Sequence, residues 1–239
     1  SNNSSNKICE LDITKFNSND CKYTTLKRSS LINFLKRDLE SLIMTGYNIS
    51  KIDQQENKII LSFENDETKE CDYLIISDGV FSKSKSLISK SNVKPKYNNT
   101  IAIRGILTKS PENIDDKNIA LFLGSNFHYV VYPINSNGDL NFIAIMKYKL
   151  SAEEQKNYSL FNDNSFIKKV LEIIPLKNKN FLSNLKELKI FPVFISENFY
   201  KLQNNNIHMI GDAFFAFSPS FAQGASQSIE GAYELFKNI

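Results

Sequence analysis

The apolar positions along this chain follow two rhythms, and the change comes near residue 97. From Ser29 or Ser30 onward, Leu31, Ile32, Phe34, Leu35, Leu39, Leu42 and Ile43 recur at helical spacing. The pattern predicts an amphipathic helix with a serine N-cap, ending at Thr45-Gly46 with Gly46 in the C′ position. Short strand pieces are expected before it, at Ile8–Ile13 and Tyr23–Leu26. After it, Ile49–Ile52 and Lys58–Glu64 alternate as a strand pair around a polar turn, and Asn65–Lys69 reads as a second turn. Cys71–Ile76 ends in a continuous apolar run, which predicts a strand buried on both faces. It leads into Ser77-Asp78-Gly79-Val80-Phe81-Ser82. An acidic residue and a glycine at the carboxyl end of a strand occupy the place where open α/β sheets bind ligands. A plain Asp-Gly turn has the same appearance.

Ser82–Lys96 reads as a Ser/Lys-rich connection, and beyond it the rhythm becomes strand after strand: Thr100–Leu107, Ala120–Leu123, Tyr129–Ile134 and Leu140–Tyr148. Turn signals at Gly124-Ser125-Asn126 and across 135–139 predict antiparallel hairpins. Ser151-Ala152-Glu153-Glu154 is a capping-box pattern and predicts a helix start. A second helix is expected over Ser165–Ile174, before Pro175, and Phe191–Phe194 reads as the last strand of this region. An apolar strand, Ile207–Ile210, then runs into Gly211-Asp212, a loop with Pro219, and a helix opening at Gln223-Gly224. Free N–H groups at a helix start, with their partial positive charge, suit a negatively charged or electron-rich ligand. An ordinary strand-loop-helix connection has the same spacing.

The order predicts an α/β fold, α+β overall. A partial Rossmann-like domain formed by residues 1–97 and 196–239 is interrupted by an antiparallel-sheet domain over 98–195.

Composition narrows the function. A chain of 239 residues can bury a substantial core. The formal charge of +3, with lysines spread along the chain, gives no basis for nucleic-acid binding. Cys9, Cys21 and Cys71 form no CxxC, so a reducing compartment and no structural metal are expected. No apolar run reaches the length of a membrane span. His128 and His208 lie far apart, in or beside apolar strands, and read as structural. HExxH, GxSxG and Walker A patterns are missing, so any chemistry is expected to be carried by a cofactor.

These residues carry a resemblance. Arg28…Leu31…Leu35, the Asp78-Gly79 turn, Arg104-Gly105, Tyr132-Pro133-Ile134, Asn141-Phe142 and Gly211-Asp212-Ala213…Pro219…Gln223-Gly224-Ala225…Ile229-Glu230 occur in order. In that order they resemble the single-component FAD-dependent aromatic-ring hydroxylases, the group of p-hydroxybenzoate, salicylate and ubiquinone-pathway hydroxylases. The resemblance implies that Arg28, Asp78, Gly79, Gly211, Asp212, Pro219, Gln223, Gly224, Ala225 and Ser226 contact FAD. It implies NAD(P)H as co-substrate and a flavin hydroperoxide that hydroxylates an aromatic or quinol ring with O₂. Arg104, Tyr129, Tyr132 and Phe217 would line the substrate side. A cytoplasmic location follows, with peripheral contact at an inner membrane where the substrate is a polyprenyl quinol; the oligomeric state stays open.

The chain departs from the family pattern in places. Phe214 and Phe215 stand where the family has Ala and His, Ser77 replaces Ala, Lys85 replaces an Arg, and Gly231 replaces an Asp. Lys85 lacks the planar fork of the Arg. No GxGxxG occurs. The expectation is a fragment without the first βαβ unit and the C-terminal helices, which alone binds FAD weakly or not at all. A non-catalytic remnant or binding module, or another flavoprotein of halogenase or reductase type, remains as an alternative.

Overall fold

The structure is a computed structural model and describes residues 7–20, 22–56, 58–89, 94–108, 110, 114, 117–135, 137–174, 180–196 and 206–239. Cys21 and Pro175 lie outside the described residues.

A helix α1 (Arg28–Lys36) is followed by β1 (Ile49–Gln54), β2 (Ile59–Phe63) and β3 (Thr68–Cys71), which pair antiparallel in that order. β4 (Leu74–Ile76) leads into a short helix α2 (Lys83–Ser89). β5 (Lys96–Leu107), β6 (Ala120–Leu123), β7 (Phe127–Pro133), β8 (Leu140–Lys147), helix α3 (Asn164–Ile173) and β9 (Leu185–Ile195) follow. The five strands form one antiparallel sheet in the order β6-β7-β8-β5-β9. β10 (Ile207–Met209) returns to pair parallel with β4, and helices α4 (Gly211–Phe214) and α5 (Gly224–Asn238) end the chain. This mixed α/β arrangement is the expected class.

Period-two alternation sets the main core. Ile101, Ile103 and Leu107 of β5 point to the same face as Phe127, Tyr129 and Val131 of β7 and Leu140, Phe142, Ala144 and Met146 of β8. Phe166 and Val170 of α3 close that face. Asp163 caps α3, accepting from Phe166 N–H at 2.9 Å. Gly105 permits the bulge where β5 meets β9, because a Cβ there would lie 2.9 Å from Leu185 Cδ2.

Several expectations need correction. The first helix stops at Lys36 rather than near Gly46. Arg37 is extended and Asp38 is left-handed at φ 68°, so the periodic apolar residues beyond continue as a 3₁₀ turn at Glu40–Leu42. The expected strand pieces near residues 8 and 23 are irregular, apart from a 3₁₀ turn at Ile13–Phe16. Cys71–Ile76 divides between two sheets, and Ile75 on β4 is 48% exposed, so this strand is covered on one face. The turn at Asn65 is tighter than expected, because Asp66 takes φ 65° and β3 resumes at Thr68. The Ser/Lys-rich connection contains α2. The capping box forms reciprocally, with Ser151 N–H to Glu154 Oε2 at 2.7 Å and Glu154 N–H to Ser151 Oγ at 3.1 Å. It heads a 3₁₀ turn, Glu154–Lys156, rather than an α-helix.

Candidate functional site

Parallel pairing brings two distant motifs together. Ile207, His208 and Met209 stand opposite Leu74, Ile75 and Ile76, and Ile210 N–H donates to Ile76 C=O at 3.0 Å. The chain leaves both carboxyl ends side by side, one through Ser77-Asp78-Gly79 and the other through Gly211-Asp212. Paired carboxyl ends of parallel strands are where α/β folds hold ligands.

The Asp78 turn is internally fastened. Gly79 sits at φ +83° and accepts from Ser82 N–H at 3.0 Å. Asp78 Oδ2 accepts from Ser84 N–H at 3.1 Å, and Ser82 Oγ accepts from Lys85 N–H at 2.9 Å, so both side chains cap α2. Lys85 is 4% exposed. Burial pulls its ammonium below the usual lysine range, and the charge of Asp78 opposes that shift. A cleft of about 480 Å³ adjoins this turn, lined in part by Ser50, Glu64, Phe81 and Lys83.

The Gly211 turn requires glycine for two reasons. Its φ is +59°, and a Cβ would lie 3.0 Å from Ser228 Oγ on α5. Asp212 is exposed in α4, while Ala213 beside it is fully buried. Phe214 and Phe215 are partly exposed, and Phe215 lies 5.7 Å from Phe217. Pro219 begins a 3₁₀ turn, Ala222 is left-handed at φ 53°, and α5 then starts after Gln223. No side chain caps this start, so the N–H groups of Gly224, Ala225 and Ser226 are left for other acceptors. A Cβ at Gly224 would meet nothing within 4 Å.

Of the other candidates, Arg28 is exposed at the first turn of α1. Among the described residues no hydrogen bond or ion pair joins it to Asp78 or Asp212. Its neighbour Lys27 reaches the turn between β7 and β8, with Nζ 3.8 Å from Asp139 Oδ2. Arg104, Tyr132 and Asn141 share the outer face of that sheet: Asn141 pairs with Tyr132 on β7 and with Ile106 on β5. The Arg104 guanidinium lies 5.4 Å from the Phe191 ring centroid. Burial raises the Tyr132 hydroxyl above the usual tyrosine range, and the nearby Arg104 charge opposes this. Asn141 lies close enough to favour the phenolate, yet its buried Nδ2 completes no hydrogen bond of ordinary geometry. Tyr129 does not join this group. It points into the core on the opposite face, 9% exposed, and stacks on Phe122 at 4.3 Å. Burial pushes its hydroxyl up to about 12.

His208 stacks on Tyr73 at 6.5 Å, and burial lowers the pKa of His128. Among the described residues no cluster of His, Cys, Asp and Glu could hold a metal, and no helix is long and apolar enough to cross a membrane. Ser196, which holds the loop after Gly211, was missed in the sequence, where nothing marks it.

Comparison with known proteins gives the geometry a context. The FAD binding domain family matches residues 38–239. Salicylate hydroxylase of Pseudomonas putida is 23% identical over 242 residues, covering 89% of this chain and 53% of that protein. Chloroplastic zeaxanthin epoxidase of an Oncidium hybrid cultivar is 23% identical over 215 residues, 88% of this chain and 31% of that protein. The chain thus spans about half, or less, of the length of these relatives. Among solved structures, Klebsiella pneumoniae HpxO complexed with FAD and uric acid superposes with a TM-score of 0.66 at 14% identity, over 85% of this chain and 52% of that one. A salicylate hydroxylase substrate complex gives 0.65 at 18% identity, over 87% and 55%. The chain belongs to the FAD binding domain family, the flavoprotein group of the FAD-dependent aromatic hydroxylases, whose cofactor is FAD.

Proposed function

We propose that the complete protein is an FAD-dependent monooxygenase that hydroxylates an aromatic or quinol-type ring with NAD(P)H and O₂. One observation carries the reading: β4 and β10 pair in parallel, so Asp78-Gly79 and Gly211-Asp212 emerge together, and the second leads on to α5, whose Gln223 makes no side-chain cap.

The residues present suit the isoalloxazine and ribityl end of FAD. Asp212 would accept hydrogen bonds from ribityl hydroxyls through its exposed carboxylate. The N–H groups of Ala225 and Ser226, with Gln223 and Gly224 at the bend, would face the electron-rich edge of the ring system. A helix start stabilises negative charge there by about 0.3–1 kcal/mol. Gly79, Gly211 and Pro219 shape the two turns, Asp78 fixes its own turn, and Arg28 supplies positive charge. Arg104 and Tyr132, with Phe217 on the neighbouring loop, are proposed to face the substrate. Burial keeps Tyr132 a neutral donor at working pH.

When bound, FAD supplies the two-electron link between NAD(P)H and O₂. One oxygen atom enters the ring and the other leaves as water. The proposed location is cytoplasmic, with peripheral membrane contact for a polyprenyl quinol.

The test is NAD(P)H oxidation by the complete protein, with and without a panel of phenols and quinols. Stimulation by a panel member, with hydroxylated product, is expected. No stimulation across the panel would overturn the reading.

A further inference from the structure

The end of β9 joins both strand-end motifs to the large sheet. Ser196 follows β9 directly and is buried. Its N–H donates to Ala216 C=O at 2.9 Å, and its hydroxyl accepts from Ala216 N–H at 2.9 Å. A single serine therefore satisfies both backbone groups of Ala216, which is itself buried. Ala216 lies between Phe215 and Phe217, midway from Asp212 to Pro219. Two positions earlier on the strand, Phe194 meets Phe81 with ring centroids 5.0 Å apart. Phe81 belongs to the Asp78 turn. Phe194 also lies 5.7 Å from Tyr97 of β5, the strand that carries Arg104.

The strand end thus touches three things: the Gly211 loop through Ser196, the Asp78 turn through Phe194, and the neighbouring strand β5 through Tyr97. A buried N–H keeps its partner wherever the fold allows one, so the Ser196 clasp fixes where the 215–219 loop lies. The rings at 81, 97 and 194 add a packed contact of defined geometry.

We propose that Ser196 and Phe194 are positioning residues. They set the separation between the paired motifs and the Arg104–Tyr132 face, acting through Ala216 and Phe81. The proposal rests on the reading that cofactor and substrate occupy those two places. Neither residue is required to touch either ligand. The clasp lets the loop carry Phe214 and Phe215 without losing its register to the sheet.

The experiment uses the full-length protein with Ser196→Ala, Ser196→Thr and Phe194→Leu. Hydrogen exchange reads the clasp directly, and product formed per NAD(P)H oxidised reads its consequence. With Ser196→Ala, exchange at the Ala216 amide is expected to rise about tenfold, the scale of one lost hydrogen bond, with β5 amides unchanged. The product fraction is expected to fall while FAD stays bound. Ser196→Thr keeps the hydroxyl and restores both readouts. Phe194→Leu lowers the product fraction and leaves the Ala216 amide protected. Unchanged exchange in Ser196→Ala overturns the clasp. Faster exchange with an undiminished product fraction, even at a lower Tm, overturns the positioning role. A wild-type protein that takes up no FAD refutes the proposed function instead, and the clasp is then decided by exchange alone.

Discussion

The five-stranded sheet and the paired-motif region solve the same problem with different success. The sheet, with α3 laid across it, shares one continuous buried cluster that includes Phe142, Leu107 and Val131. Around β4 and β10 the buried cluster among the described residues is smaller: Ile59, Leu74, Ile76, Ile207 and Ala213. The helices there leave apolar faces open. No residue of α1 or α5 is buried, and Phe236 is 78% exposed beside Ile229, Tyr233 and Ile239. Tyr73, just before β4, and Ile75 within it are also about half exposed. One region is stabilised by its own core. The other is held in shape by turns, caps and the β9 junction, and leaves apolar surface exposed.

The contrast makes definite demands. The largest effect belongs to the sheet. Phe142→Ala is expected to cost about 3–5 kcal/mol in chemical denaturation, because the ring is fully buried. A cost near zero would deny that the sheet carries the stability. Gly211→Ala comes next. A left-handed alanine costs about 1–2 kcal/mol, and its Cβ presses on Ser228. A lower Tm together with weaker FAD binding is expected. An unaltered protein would mean that the turn tolerates a side chain.

Phe236→Ser probes the open helical face. It is expected to change stability by less than about 0.5 kcal/mol, as exposed positions do. A cost above about 2 kcal/mol in chemical denaturation would contradict the exposure of this ring. The smallest effect is a pH response at α3. Hydrogen bonds from Ser165 and from Phe166 N–H hold the Asp163 carboxyl below the usual carboxylate range. Its contribution is therefore complete above its unfolded pKa and is lost as pH falls through the lower folded value. Asp163→Ala should remove that acid-side dependence of Tm, whereas Asp163→Asn, also a good cap, should remove it with little loss at neutral pH.

Much of this division was legible in the sequence, for physical reasons. Strands of alternating period and turn residues at Gly124 and Asn135 specify an antiparallel sheet locally, so β6 to β8 came out nearly as expected. The motifs at Asp78 and Gly211 were visible as acidic and glycine residues at strand ends. Their adjacency followed only from the resemblance and from no local pattern, because it depends on a parallel pairing across more than a hundred residues. Tyr129 was misplaced although the signal was present. It lies three positions from Tyr132, and a regular strand sends such residues to opposite faces. The long first helix failed where one left-handed residue, Asp38, interrupted a periodic pattern that had no core to pack against. Ser196 carried no pattern, since its role is set by a loop twenty residues away.

On the proposed reading the paired strand ends and the start of α5 hold FAD. A FAD titration of the full-length protein, followed by quenching of flavin fluorescence, decides this when wild type is compared with Asp212→Ala. Stoichiometric binding by wild type and roughly 10- to 100-fold weaker binding by the variant are predicted, the worth of one or two charge-assisted hydrogen bonds. Equal affinities, or no FAD bound by the wild-type protein, would contradict it.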